Sequence, residues 1–170
     1  MIRGALSALF LAGAGAACAA PVACDIRLNV ADQDPNGLNV RAAPAGAIIG
    51  ALKAKNRWVQ VHVTAQDGAW VRIDNATLIT ETDPGGTVIF GRVGWVALSK
   101  LEIEELDPNT RIHAAPSEDS PLVLSFDEGD ESRIPHADIL GCQDDWLHVR
   151  VKDLVGWTRT FCANQFTTCV

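Results

Sequence analysis

The sequence predicts an all-β protein in which one small β unit is written twice. The stretch LNVRAAP at residues 38–44 returns as TRIHAAP at residues 110–116, seventy-two positions later. Each stretch begins the same succession of short segments, several of which alternate apolar and polar residues with the period of a half-buried strand. Helical periodicity is absent after the first twenty residues, and only residues 99–106 allow a short helix or a linker.

The first nineteen residues are predicted to be an export signal. Arg3 supplies the positive end, residues 5–17 form a short apolar run, and residues 17–19 (ACA) fit the cleavage pattern. The run is shorter than the ~20 residues that span a bilayer. A buried N-terminal helix and lipidation of Cys18 remain alternatives. The predicted location is the periplasm or cell envelope.

The first unit is predicted over residues 24–103. After a polar lead, the sequence DPNG at residues 34–37 forms a turn, because Pro fixes φ and Gly permits positive φ. Val59, Val61 and Val63 alternate with polar residues and are predicted to face the core. The predicted strands cover residues 38–41, 48–52, 58–63, 70–73 and 94–96.

An extended hairpin is predicted to distinguish the first unit from the second. Residues 77–82 and 87–90 are rich in Thr, Ile and Val, and they flank the turn sequence DPGG at residues 83–86. The second unit, predicted over residues 107–170, repeats the other motifs without this segment. The matching pairs are Ala42-Ala43-Pro44 with Ala114-Ala115-Pro116, Trp70-Val71 with Trp146-Leu147, and Gly94-Trp95 with Gly156-Trp157.

These motifs together resemble bacterial SH3-like (SH3b) domains of exported proteins. The resemblance rests on LNVRAAP, the aliphatic stretch that follows, the Gly-x-Trp-x-Arg strand at residues 68–72 and Gly-Trp-Val at residues 94–96. It implies two small, strongly bent SH3-like β-barrels in tandem, the first with the extended hairpin insertion. Members of this family are usually attachment or targeting modules for cell-wall material or peptides.

Four cysteines remain after signal cleavage, and an even number in an exported chain favours two disulfides. A hairpin register that places Leu147 beside Trp157 also places Cys142 beside Cys162, which leaves Cys24 for Cys169. This pairing is preferred. The rival joins Cys162 to Cys169 and Cys24 to Cys142. The cysteine spacings of 118, 20 and 7 fit no zinc pattern, so no metal site is predicted.

Charge and motif content exclude several functions. Without Arg3 the chain has thirteen basic and twenty-one acidic residues and no basic run, so nucleic acid and anionic lipid are poor partners. Neither GxSxG nor HExxH occurs, and two SH3-like units leave no length for a catalytic segment. A monomeric, non-catalytic protein without a cofactor or membrane insertion is predicted.

The tryptophans carry most of the functional prediction. Trp95 and Trp157 follow Gly in the closing strands and are predicted to lie in the core. Trp70 and Trp146 have the opposite parity to the inward residues beside them, so their rings are expected to face solvent or a shared groove. The alternative is that each ring covers the open end of its own barrel. The candidate ligand contacts are Arg41, Trp70 and Arg72 in the first unit and His113, Trp146 and His148 in the second.

The predicted function is a non-catalytic exported binding module. Its expected ligand is a cell-wall peptide or glycan, or a short peptide, in the periplasm or cell envelope. Arg41 or Arg72 is expected to pair with a ligand carboxylate. The alternative function is a structural or regulatory partner of another envelope protein, bound through the hairpin at residues 77–90.

Overall fold

The computed structural model describes residues 20–107, 109–125 and 137–163. This part contains no α-helix, which confirms the all-β class; one 3-10 turn spans Leu98–Lys100. The predicted export signal and Cys169 lie outside the described residues. The strands are β1 (Val22–Val30), β2 (Leu38–Arg41), β3 (Ile48–Leu52), β4 (Trp58–Asp67), β5 (Trp70–Thr80), β6 (Asp83–Phe90), β7 (Gly94–Ala97), β8 (Leu101–Glu102), β9 (Glu105–Leu106), β10 (Arg111–His113), β11 (Leu122–Ser125), β12 (Asp138–Gln143), β13 (Trp146–Val151), β14 (Leu154–Thr158) and β15 (Phe161–Cys162).

The strands form two main sheets. In the first, the order is β3-β2-β7-β5-β4-β1-β8, with β6 paired to β5; in the second it is β11-β10-β14-β13-β12. A small third sheet joins β9 to β15. Within the described residues neither main sheet closes into a barrel, because the strands at its two edges do not pair with each other.

The second sheet repeats the order of five strands of the first. The strands β3, β2, β7, β5 and β4 occupy the same sequence of positions as β11, β10, β14, β13 and β12. The registers agree as well, since the tryptophan of each closing strand opposes residues at matching positions of its two neighbouring strands. Trp95 opposes Arg41 and Arg72, and Trp157 opposes His113 and His148.

The glycine before each closing tryptophan is required by close packing. A Cβ atom added to Gly94 would overlap Val40 Cγ1, and one added to Gly156 would overlap Ile112 Cγ2. Val40 and Ile112 are fully buried and occupy matching positions in β2 and β10. The Gly-Trp motif is therefore a packing constraint that both halves share.

One continuous hydrophobic core underlies both sheets. Val59, Val61 and Val63 are fully buried, as their alternation predicts. They belong to the same core cluster as Leu147 and Val149 of the second sheet. The two halves therefore bury apolar area against each other in addition to packing within each sheet.

Strand β1 is a structural element that the sequence analysis missed. The segment described as a polar lead forms a nine-residue strand that pairs with β4 on one side and β8 on the other. Ile26, Leu28 and Val30 point into the core, whereas Arg27 lies on the opposite face and is exposed. The sequence of residues 26–30 alternates apolar and polar residues, which is the pattern of a half-buried strand, but no strand was predicted there.

The predicted extended hairpin is present as β5 and β6, but its turn lies earlier than expected. The strands are joined at Glu81 and Thr82, while the DPGG sequence lies inside β6. The Asp83 carboxylate accepts hydrogen bonds from the Gly86 backbone N–H and the Thr87 hydroxyl. These bonds stabilise an irregular strand, in which Gly86 has φ of 74°.

Residues 99–106 form neither an α-helix nor a free linker, and only their first two residues belong to the 3-10 helix Leu98–Lys100. The 3-10 turn leads into β8, which pairs with β1, and then into β9, which pairs with β15. Leu101, Ile103 and Leu106 are buried. The segment therefore completes one sheet and contributes an edge to another.

The preferred disulfide pairing is wrong. Cys24 bonds Cys142, with a Cα–Cα distance of 5.7 Å, as the rival pairing proposed. Cys162 is also disulfide-bonded, to a cysteine outside the described residues. The register used for the preferred pairing was one residue off, because Leu147 opposes Thr158 and His148 opposes Trp157.

The Cys24–Cys142 bond fixes the first strand to the second half of the chain. Backbone hydrogen bonds flank it, from Asp25 N to Asp144 O at 2.6 Å and from Asp144 N to Ala23 O at 2.7 Å. The bond closes a separation of 118 residues. In the chain-entropy model, closing a loop of this length lowers the conformational entropy of the denatured state. This stabilises the native state by about 4–5 kcal/mol.

We expect the double substitution Cys24→Ser/Cys142→Ser to lower the free energy of unfolding by about 2–5 kcal/mol. Urea unfolding followed by circular dichroism measures the change. The variant is preferable to chemical reduction, which would also break the bond at Cys162. A loss below about 1 kcal/mol would show that packing alone holds the halves together.

Candidate functional site

The predicted contacts of the first unit lie together on one face of the first sheet. Arg41, Trp95 and Arg72 form a row across β2, β7 and β5, and Trp70 lies two residues before Arg72 on the same face. Trp95 is half-buried and not a core residue, which corrects the prediction. These four residues are called the aromatic face below.

The side chains of the aromatic face are held by local contacts. The Arg41 guanidinium lies 5.7 Å from the centre of the Trp70 ring, and its Nη1 donates a 2.7 Å hydrogen bond to Gly46 O. Arg72 is exposed, and its Nε donates to Thr64 Oγ1 at 2.9 Å. Both guanidinium groups keep further N–H donors for a ligand, since each carries five.

The matching face of the second sheet is closed by its own side chains. Trp146 was expected to be accessible, but it is only 6% exposed. The His113 ring contacts it edge-on at 5.4 Å, and the Arg159 guanidinium lies 5.4 Å from its centre. His113 is also buried, which corrects its prediction as a surface contact.

The cause of this closure is the loop between β10 and β11. It covers residues 114–121, two more than the matching loop at residues 42–47. Its Glu118 lies 3.6 Å from both His113 Nε2 and Arg159 Nη1. The loop therefore provides the carboxylate that contacts both His113 and Arg159 beside the tryptophan.

His148 remains partly accessible beside this closed region. Its ring stacks on Trp157 with centres 4.4 Å apart and an interplanar angle of 10°. Trp157, predicted as core, is half-buried. Burial, and secondarily the positive charge of Arg150, lower the pKa of His148 below its ordinary value.

A separate cleft of about 800 Å³ lies between the two halves of the chain. None of the six predicted contact residues lines it. One wall is the face of β1, β4 and β5 that carries Arg27, Gln60, His62 and Thr77. The opposite wall includes Glu118, Asp145, Arg159, Thr160 and Phe161. This space is called the polar cleft below.

His62 is fixed at the floor of the polar cleft by two carboxylates. Its Nε2 lies 2.8 Å from Asp25 Oδ1 and its Nδ1 lies 2.9 Å from Asp74 Oδ1. Gln60 and His62 are two of the polar residues that alternate with Val59, Val61 and Val63 in the sequence, and the alternation by itself assigned them no role. The cleft was missed because Asp25 and Arg27 belong to the unrecognised strand β1.

We expect the lowered pKa of His148 to make the fold sensitive to acid. Between its ordinary pKa and the lower native value, the unfolded chain binds more protons than the native chain. The free energy of unfolding therefore falls as the pH falls through this interval. The wild-type melting temperature should drop more than that of His148→Gln between about pH 7 and about pH 5. Parallel curves for the two proteins would contradict this origin of acid sensitivity.

Comparison with known proteins adds no family to these observations. No family model matches the chain, and neither a curated protein nor a solved structure matches it. Within the described ranges, no helix has the length and apolar character to cross a membrane. The Cys24–Cys142 disulfide is typical of a protein exported to an oxidising environment.

Proposed function

We propose that the chain is a non-catalytic binding module of the periplasm or cell envelope, built from two SH3-like units. The first unit binds a cell-wall peptide or glycan on the aromatic face. The observation that carries this proposal is the cross-strand row Arg41–Trp95–Arg72 with Trp70 beside it. The second unit supports the first through the shared core and the disulfide.

The chemistry of the aromatic face suits such a ligand. Half-buried Trp70 and Trp95 offer ring surface to the apolar faces of a sugar or a peptide side chain. Exposed Arg72 offers a guanidinium to a carboxylate of the ligand. The matching row in the second sheet has histidines at both arginine positions and a covered Trp146, which favours one binding face per chain.

The contacts of the described histidines support binding without catalysis. His62 faces two carboxylates, and His113 faces the Ser120 carbonyl and Glu118. His148 stacks on Trp157. Among the described residues, no serine or cysteine side chain is hydrogen-bonded to any of these three rings for activation as a nucleophile.

We expect Arg72→Gln to weaken binding to purified peptidoglycan about tenfold or more, because it removes a charge-assisted hydrogen bond. Trp70→Ala should abolish the binding by removing the ring surface. A sedimentation assay measures both variants, with melting temperatures recorded in parallel.

Arg150→Gln is the matched control, since Arg150 is an exposed arginine of the second sheet. It should bind as the wild type does. If folded Arg72→Gln and Trp70→Ala both bind peptidoglycan normally, the aromatic face is not the binding site.

A second candidate function is favoured by strand β6. Among the described strands it pairs only with β5, and its Val88 and Ile89 are 61% and 40% exposed. An unpaired apolar edge accepts an added strand from another protein. In this alternative, the hairpin at residues 77–90 attaches the chain to an extended segment of an envelope protein.

We expect Val88→Lys to separate the two candidates, because a charge on an edge strand opposes strand addition. If β6 binds a protein partner, that protein is lost from a pull-down of envelope extract while peptidoglycan binding is retained. Arg72→Gln should give the reverse result under the first candidate. Retention of every captured protein by Val88→Lys would exclude β6 as the attachment edge.

A further inference from the structure

We infer that the polar cleft is a second ligand site, distinct from the aromatic face, that binds the carboxylate end of a short peptide. The cleft of about 800 Å³ lies within the range of ~300–1,000 Å³ that small-molecule sites occupy. Its walls come from both halves of the chain, so a bound ligand would contact both.

The first evidence is a row of polar residues on one face of β1, β4 and β5, of which Gln60 and Thr77 line the cleft. Asn29, Gln60 and Thr77 oppose one another across β1, β4 and β5 and share one face. Gln60 lines the cleft and is only 7% exposed, yet its amide has no hydrogen-bond partner among the described residues. Its amide nitrogen and oxygen are not fully buried, so they are accessible from the cleft. A ligand with its own donors and acceptors would satisfy them.

Asn29, at the other end of the row, lines a second hollow of about 330 Å³. It is 4% exposed, and its Oδ1 has no hydrogen-bond partner among the described residues. Of these two amides, the one of Gln60 lines the cleft in which Arg27 lies. Because an amide both donates and accepts, Gln60 matches a ligand with peptide groups.

Among the described residues, one arginine of the cleft has no charged partner. His62 is held by Asp25 and Asp74, and Arg159 is held by Glu118 and Asp145 at 3.6 and 3.3 Å. Arg27 lines the same cleft and has no ion pair or hydrogen bond to its side chain within the described part of the chain. The unpaired guanidinium is suited to one ligand carboxylate, which it can hold by two hydrogen bonds.

The spacing of these groups favours a peptide end. Arg27 opposes His62 across β1 and β4, and Gln60 lies two residues from His62 on the same face. Arg27 and Gln60 are thus diagonal neighbours, about 7–8 Å apart. An extended peptide advances about 3.4 Å per residue. A carboxylate on Arg27 therefore places an amide about two residues upstream at Gln60.

The test is calorimetric titration of the signal-free chain with trialanine and with trialanine amide. We expect trialanine to bind about tenfold or more tightly than its amide, because the amide lacks the charge that Arg27 pairs. Arg27→Gln should weaken trialanine binding to the level of the amide. This substitution is on an exposed residue, so the fold is expected to remain intact.

Gln60→Leu gives an independent signature. It should weaken trialanine and its amide equally and leave the melting temperature unchanged or raised, because it removes a buried amide that has no partner. A structural role of Gln60 would instead lower the melting temperature. If Gln60→Leu does not fold, Arg27→Gln alone decides the outcome.

Arg72→Gln distinguishes this site from the aromatic face. It should leave trialanine affinity unchanged, while Arg27→Gln should leave peptidoglycan binding unchanged. The inference is overturned if trialanine does not bind, if it binds no more tightly than its amide, or if Arg27→Gln binds trialanine as the wild type does.

Discussion

The two-residue period of strand β1 is the constraint on which the rest of the molecule depends. On one face, Ile26, Leu28 and Val30 enter the core that both sheets share. On the other, Arg27 lines the polar cleft that faces the second half, and Asn29 lines a second hollow. A register slip of one residue would exchange these faces and remove both the core and the cleft. The disulfide at Cys24 fixes this register relative to the second sheet.

The two halves share strand order, register and the Gly-Trp packing constraint, yet their surfaces differ in chemistry. Arginines flank Trp95 in the first sheet, whereas histidines flank Trp157 in the second. Two extra loop residues bring Glu118 to the second surface, where it contacts His113 and Arg159 beside Trp146. The backbone is thus retained while small changes in side chains and loop length decide which face stays open to a ligand.

Much of the first sheet could be predicted because its strands are marked by local signals. The alternation of Val59, Val61 and Val63 gave β4, and the glycine and proline residues around β2 and β3 gave their bounds. The burial of Trp146 could not be predicted, because it depends on the loop between β10 and β11, which is distant from Trp146 in the sequence. The predicted register between β13 and β14 is one residue off. The turn consists of Lys152 and Asp153, so Val151 pairs with Leu154 and every other pair along these strands shifts by one residue. The polar cleft could not be predicted either, because it forms only where two distant parts of the chain meet.

The position of Cys24 also has a consequence for how the protein matures. No cysteine lies between Cys24 and Cys142 in the sequence. A chain that emerges N-terminus first therefore presents Cys142 to Cys24 before any later cysteine. This order of emergence favours formation of the Cys24–Cys142 bond kinetically. It also limits the opportunity for non-native cysteine pairings to form.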